Sequence, residues 1–267
     1  MMDMRASADI TILERPTARP AAEAHAHTVR LLHTSDVHVG DDRPGDGAWP
    51  EAGVASLARM VELAGEQSAD AIVIVGDLFD HNRVPEARVT LVAELFESAR
   101  VPVVILPGNH DPYRAGGVYM RCAAMFPSNV HVISRHEGEL ITLPEPGIQV
   151  WGRAHVDYDD WSPLQGAPAW KDDEGRPLWR VALAHGLYVR SDYELRLSYR
   201  IHDHEIEALQ AHYVALGHLE LHEPVGKSGT VAYYGGALDR CGGATIIELA
   251  PEGIDVAHAR FPDLRAK

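Results

Sequence analysis

The sequence predicts an α/β fold, on three observations. Continuous apolar runs such as Ala71-Ile72-Val73-Ile74-Val75 have the length and β-branched content of strands buried on both faces. Segments with apolar residues at helical spacing separate these runs. The early strands end in short polar clusters, and open α/β sheets bind ligands beyond the carboxyl ends of their strands.

In chain order, residues 29–35 (Val-Arg-Leu-Leu-His-Thr-Ser) read as the first strand. Residues 41–50, rich in Asp, Gly and Pro, read as a loop. A helix is expected over 53–67, where Val54, Leu57, Ala58, Val61, Leu63 and Ala64 recur at helical spacing. The strand over 71–75 closes on Gly76. A second helix covers 85–99, with Pro85 near its first turn. The next buried strand, 101–106, closes on Pro107-Gly108. After a helix near 116–126 the texture changes. Short strands are expected at 130–133, 139–143, 148–153 and 179–184. A helix over 203–210 precedes strands at 212–217, 220–225, 230–235, 243–249 and 254–260. Pro144, Pro146, Gly147, Gly226 and Gly229 supply the connections that hairpins need. Residues 157–177, rich in Asp, Trp, Pro and Gly, read as a long surface loop, a feature often tied to function. The two halves are compatible with two sheets packed face to face, with helices outside.

A chain of 267 residues, 46% apolar, can bury a large core without disulfides or structural zinc. No apolar run approaches the ~20 residues of a membrane helix. The first 28 residues lack a long apolar stretch, which excludes an ordinary signal peptide and suggests a flexible tail over 1–28. Residues 29–267 are then expected to form a single domain. Cys122 and Cys241 are far apart and outside any Cys-x-x-Cys spacing, as buried thiols of a cytoplasmic protein would be. Lys plus Arg is 24 against 39 for Asp plus Glu, giving a formal charge of −15. Such a surface repels nucleic acid unless a basic groove is carved locally.

Asp36-Val37-His38, Gly76-Asp77-Leu78-Phe79-Asp80, Gly108-Asn109-His110-Asp111, His185-Gly186 and Gly217-His218-Leu219-Glu220 each sit at an expected strand end. Singly, Asp-x-His is common by chance, and a lone His at a strand end is more often a turn or core residue. Together they gather the Asp, Asn and His donors that hold two divalent metals, and they point to a dinuclear metallohydrolase. Gly76 lets the chain turn so that Asp77 can bridge two ions, while Asp80 is expected to support the site from behind. The chain holds 16 histidines, a bias toward metal or acid–base work.

The order and spacing of these clusters resemble the calcineurin-like metallophosphoesterase superfamily, over about residues 29–260. The resemblance implies a four-layer α/β/β/α sandwich. It also implies that Asp36, His38 and Asp77 hold one ion and that Asp77, Asn109, His185 and His218 hold the second. His110 would protonate or steady the leaving oxygen, and Asp111 would orient His110. The implied reaction is phosphoester hydrolysis, above all of phosphodiesters, by in-line attack of a metal-bridging hydroxide. Family members mostly use Mn²⁺, Fe or Zn²⁺. The segments Tyr213–Gly217 with His218, and Tyr234-Gly235-Gly236-Ala237-Leu238, are most similar to the SbcD-type DNA-repair exonuclease branch.

One residue departs from the family pattern: its last His is Glu220 here. In an extended segment 218, 220 and 222 face one side, so Glu220, or else His222, could complete the first site, the plainer alternative being a solvated Glu220 and a weak first site. A carboxylate there would favour Mn²⁺ or Fe over Zn²⁺. His81, Arg83, Tyr113, Arg114, His155, Tyr188 and Arg240 are further candidates near the site. Trp49, Trp161 and Trp170 lie in the loops, with packing the plainer reading of each. Repair nucleases of the family carry a C-terminal DNA-capping region and a segment that grips an ATPase partner. This sequence reaches Lys267 soon after its last expected strand, its charge is negative, and it has no Lys/Arg run. Those features weigh against a nucleic-acid substrate. The alternatives are a small-substrate phosphatase or cyclic-nucleotide phosphodiesterase and, ranked last, a non-catalytic binding protein. Sequence says nothing about oligomeric state.

Overall fold

The computed structural model describes residues 9–12, 27–40, 52–166, 168–171, 177–189, 198–227 and 229–261. The expected loop over 41–50, with Trp49, lies outside these residues, as does most of the expected tail over 1–28. The elements are β1 (Asp9–Ile12), β2 (Val29–Thr34), α1 (Ala52–Glu66), β3 (Ala71–Val75), α2 (Glu86–Ala99), β4 (Val103–Leu106), α3 (Val118–Arg121), β5 (Val130–Val132), β6 (Glu139–Leu143), β7 (Ile148–Gly152), β8 (Trp179–His185), β9 (Leu187–Tyr188), β10 (Arg200–Ile201), α4 (Asp203–Ala208), β11 (Tyr213–Gly217), β12 (His222–Val225), β13 (Val231–Gly235), β14 (Gly243–Ala250) and β15 (Gly253–Arg260). The strand at 101–106 begins only at Val103, because Pro102 has no N–H to give a ladder. The helix expected near 116–126 is one short turn, α3, followed by a 3-10 turn at Ala123–Met125.

Two mixed sheets result. The first has the order β1-β15-β14-β2-β3-β4-β5, with β2 to β5 parallel and β14, β15 and β1 added antiparallel. The second has the order β12-β13-β11-β8-β7-β6, parallel at its centre and antiparallel at both edges. Residues 9–12, inside the segment expected to be a flexible tail, pair with β15 as an edge strand. The Asp-Ile-Thr-Ile alternation is the only local cue to it.

Alternation within the strands builds the layers. Leu32, Ile72, Ile74, Val103 and Ile105 point outward and pack under Leu57, Met60 and Leu63 of α1 and Val89, Val92 and Phe96 of α2. Their neighbours Leu31, Val73, Val75, Val104 and Leu106 point inward and meet Val150, Trp179, Val181, Leu183, Tyr213 and Ala215 of the second sheet. The far face of that sheet, with Ala182, Val214, Leu216 and Tyr234, is covered by Ile206 and Leu209 at α4. The order is thus helix, sheet, sheet, helix, the four-layer α/β/β/α arrangement. The loop expected over 157–177 is pinned in its described parts. Arg153 Nη1 donates to Ser162 O (2.9 Å), and Trp170 Nε1 donates to Leu209 O (2.8 Å). Among the described residues no helix is long and apolar enough to cross a membrane. Cys122 is buried and Cys241 half-buried, and both are free thiols.

Candidate metal centre

The carboxyl ends of β2, β3 and β4 in one sheet and of β8 and β11 in the other meet at one point between the layers. Asp36 follows β2, Asp77 follows β3, Asn109 follows β4, His185 ends β8 and His218 follows β11. A backbone-to-side-chain bond joins the two sheets there: His218 N–H donates to Asp36 Oδ2 (3.0 Å). His185 Nε2 lies 3.2 Å from Asp77 Oδ2 and 3.0 Å from Asn109 Oδ1. His218 Nδ1 lies 3.0 Å from the same Asn109 oxygen. Asp36, Asp77 and His185 form one compact, buried group able to hold a cation. A second group, His38, Asp80 and His110, lies nearer the surface. His38 links them, with Nε2 at 4.0 Å from Asp77 Oδ2 and Nδ1 at 3.3 Å from Asp80 Oδ1.

The backbone is bent to achieve this. Asp36 (φ 53), His38 (φ 51), Asp77 (φ 53) and His218 (φ 95) all sit at positive φ, which non-glycine residues adopt at a cost. Strain gathered on these donors is a sign of a functional constraint. Two glycines explain the close approach. Gly76 has φ +82, and a Cβ on it would land on His185 Nδ1. A Cβ on Gly217 would overlap Val75 O, the carbonyl that His185 Nδ1 contacts at 2.9 Å.

The donors fit a cation. His185 Nδ1–H is directed to Val75 O, which aims Nε2 at the carboxylates, the orientation that metal-binding imidazoles need. Burial alone would lower the His185 pKa, but Asp77 and then Asp36 outweigh it and push it up to about 9. Asp77, whose burial would raise it, is held below the usual carboxylate range by His185. Asp36 is raised by burial, against the pull of His185. Burial and the neighbouring His185 push His218 down to about 4, so it is neutral with a lone pair to offer. Without a metal, a proton on His185 therefore supplies the positive charge that this cage demands. A raised His185 pKa adds stability that is full below 6.5 and is lost as pH rises through about 9. Binding of a divalent cation near pH 7 is expected to expel that proton, since metal ligands must be deprotonated. Calorimetric titration with Mn²⁺ in buffers of different ionisation enthalpy should report release of about one proton at pH 7 and less as pH nears 9.

Three expectations about roles meet a different geometry. Asp111 does not touch His110. It is fully buried, accepts from Phe79 N–H (2.9 Å), Gly108 N–H (2.8 Å) and Tyr119 O–H (2.6 Å), and so pins the loops that carry Asp77 and Asn109. Burial and Asp77 push its carboxyl up to about 6. Asp80 is the residue beside His110: His110 Nδ1 lies 2.9 Å from Asp80 O and 3.6 Å from Asp80 Oδ1. Glu220 belongs to neither candidate group. Residues 218–221 form a bend rather than an extended strand, so the alternation that would aim Glu220 inward does not apply. Its exposed carboxylate lies 3.5 Å from Arg240 Nε. His222 is also elsewhere, with Nδ1 at 2.5 Å from Thr245 Oγ1 and its ring against His258.

Of the further candidates, Arg83 and Arg114 are exposed, and Arg114 stacks on Tyr158 at 5.1 Å. His81 accepts from Arg83 N–H, Tyr113 packs against the cores, and Tyr188 O–H donates to Asp203. Trp161 and Trp170 pack the loops, the plainer of their two readings. His155 alone of this group is buried against the centre.

The sequence profile of the calcineurin-like phosphoesterase family matches residues 29–219, which include every donor of the centre. The chain belongs to the calcineurin-like phosphoesterase family. Its members depend on metal ions, in keeping with the donor groups found here. The chain is 24% identical over 230 residues to the DNA double-strand break repair protein Mre11 of Archaeoglobus fulgidus, covering 79% of this chain and 50% of that protein. It is 36% identical over 89 residues to the SbcD component of the nuclease SbcCD of Rhodobacter capsulatus, covering 32% and 22%. This calcineurin-like chain thus spans about half the length, or less, of the curated relatives it matches. A solved structure assigned as a 5′-nucleotidase from Staphylococcus aureus shares the fold, with a TM-score of 0.53 and 12% identity over 90% of this chain and 55% of that one.

Proposed function

We propose that this chain is a metal-dependent phosphodiesterase of the nuclease type, with residues 29–267 acting as one domain. The observation that carries the reading is the convergence of five donors from two sheets: Asp36, Asp77 and His185 offer ligand atoms within 4.8 Å of one another, and Asn109 Oδ1 lies 3.0 Å from both His185 Nε2 and His218 Nδ1. Asp36, His38 and Asp77 would hold one ion, and Asp77, Asn109, His185 and His218 the second. Bound divalent ions would acidify a water and neutralise charge on the attacking and leaving oxygens. Carboxylate, amide and neutral imidazole donors suit Mn²⁺, with Fe or Zn²⁺ as alternatives.

The side chains supply the rest. The Asp77 carboxylate fixes the His110 loop by accepting from His110 N–H (2.9 Å). His110 Nδ1 is turned to Asp80, which leaves Nε2 as the atom for the leaving oxygen. Its ring is half-exposed, where a substrate can reach it. Asp111 would serve by holding the loops rather than by orienting His110. Free thiols fit a reducing compartment, the cytoplasm. The Mre11 and SbcD relatives support a nucleic-acid substrate. The charge of −15 supports a second reading, hydrolysis of small phosphoesters, because a polyanion is repelled.

The test is hydrolysis of bis-p-nitrophenyl phosphate and p-nitrophenyl phosphate side by side, with Mn²⁺, with Zn²⁺ and with chelator. Mn²⁺-dependent diester cleavage that exceeds monoester cleavage, extending to single-stranded DNA, is the expected result. Turnover of neither ester, by a protein shown to hold its ions, refutes it.

A further inference from the structure

His155 lies outside every cluster that marks the family, yet it is fully buried behind the centre. Its backbone closes the base of the Gly-Asn-His-Asp loop. His155 N–H donates to Pro107 O (3.4 Å), and Tyr113 N–H donates to His155 O (2.6 Å). Those partners bracket the segment that carries Asn109 and His110. Its side chain reaches the other sheet, with Nε2 at 2.9 Å from the carbonyl oxygen of His185. A carbonyl only accepts, so Nε2 bears the hydrogen. The ring packs edge-on against His185 (5.6 Å), Trp161 (4.9 Å) and Tyr199 (4.5 Å). Tyr199 in turn meets the His218 ring at 6.0 Å. Trp161 is fixed from behind by the Arg153 guanidinium at 4.6 Å.

One residue therefore ties together the segments that present Asn109 and His185, and through Tyr199 it braces His218. We propose that His155 is a positioning residue that sets the separation of Asn109 and His185, and so tunes the affinity of the second ion site. The proposal rests on the ion assignment made above. The ring fills the space between the sheets, while Nε2–H fixes the carbonyl of a donor residue. Phenylalanine would keep the first property and lose the second. Glutamine can place an N–H near the position of Nε2, whereas asparagine is one methylene too short.

The experiment is titration of ion-free protein with Mn²⁺, read as free Mn²⁺ by electron paramagnetic resonance. It uses wild type, His155→Phe, His155→Gln and His155→Asn, with an Asn109→Ala control to assign the second-site step. Thermal stability is measured on the same ion-free samples. The expected result is a second-site affinity about 10- to 100-fold weaker for His155→Phe and His155→Asn, the range typical of lost outer-sphere support, with recovery in His155→Gln and the first site unchanged. Should the Phe protein not fold, the Asn and Gln pair decides. Equal affinities in all variants, or a loss shared by both sites that merely follows thermal stability, overturns the proposal. A wild-type protein that takes up no Mn²⁺ overturns the proposed function itself, and this inference with it.

Discussion

Replacing Asp77 with Asn is expected to abolish uptake of both ions and to lower turnover by about 10³-fold or more. Among the described residues Asp77 is the carboxylate that joins the two candidate groups, with Oδ2 at 3.2 Å from His185 Nε2 and 4.0 Å from His38 Nε2. The amide keeps the shape of the carboxylate and an oxygen for His110 N–H, so the loop retains its anchor. It brings no charge, and its NH₂ group cannot ligate. Charge neutralisation by bound metal contributes several kcal/mol to such a transition state, and each 1.36 kcal/mol is tenfold in rate. Two shifts oppose each other in the ion-free state. His185 loses the partner that raises its pKa, while Asp111 is freed from a buried like charge that raises its own. Burial is the larger cause of the Asp111 shift, so its relief is the smaller effect, and the ion-free variant should be less stable than wild type at pH 7. The contrast appears on adding Mn²⁺. Wild type should gain about 2.7 kcal/mol at 100 times its Kd, and the variant nothing. Thermal unfolding with and without Mn²⁺, beside turnover, reads both effects. A variant that still melts higher with Mn²⁺ and still turns over would remove Asp77 from the bridging role.

The sequence carried the strands of this centre plainly, and it carried side-chain roles less well. Runs such as 71–75 are apolar on both faces because a parallel strand lies between two layers, so its end is easy to locate, and donors placed at strand ends converge. Glu220 could not be placed in the same way. Alternation of faces holds only for extended backbone, and the bend at 218–221, with His218 at φ 95, breaks it. Asp111 illustrates another limit. Its neighbour His110 points out to the rim, while Asp111 turns inward to three donors that lie 3, 8 and 32 residues away in the chain. His155 stands among the sequence candidates near the site, but its bracing role has no local signal, since its partners Pro107, Tyr113 and His185 are brought to it by strand order. The pair β9 and β10 is two residues long on each side, too short to show a period.

His110→Ala should lower kcat by about 10²- to 10⁴-fold, the range of a lost general acid, with ion content unchanged. The separation of effects follows from the geometry. His110 shares a group with His38 and Asp80 near the surface, while the buried group of Asp36, Asp77 and His185 is complete without it. Leaving groups discriminate between the two tasks open to its Nε2. An aryl diester whose nitrophenolate departs without needing a proton should be cut nearly as fast by the variant. An alkyl diester, such as the linkage in DNA, expels a strongly basic alkoxide and should show the full loss. If His110 instead only steadied charge on the phosphoryl oxygens, both substrates would lose rate alike. Asp80→Asn provides the companion measurement. The backbone Asp80 O that faces His110 Nδ1 survives the change, and the side-chain oxygen at 3.6 Å becomes neutral. The ring then keeps its orientation and loses its negative neighbour, so the alkyl substrate should show a smaller deficit than in His110→Ala. Since Asp80 also lies 3.3 Å from His38 Nδ1, the same variant should weaken the first ion but not the second. A first-site affinity untouched in Asp80→Asn would restrict that carboxylate to the support of His110.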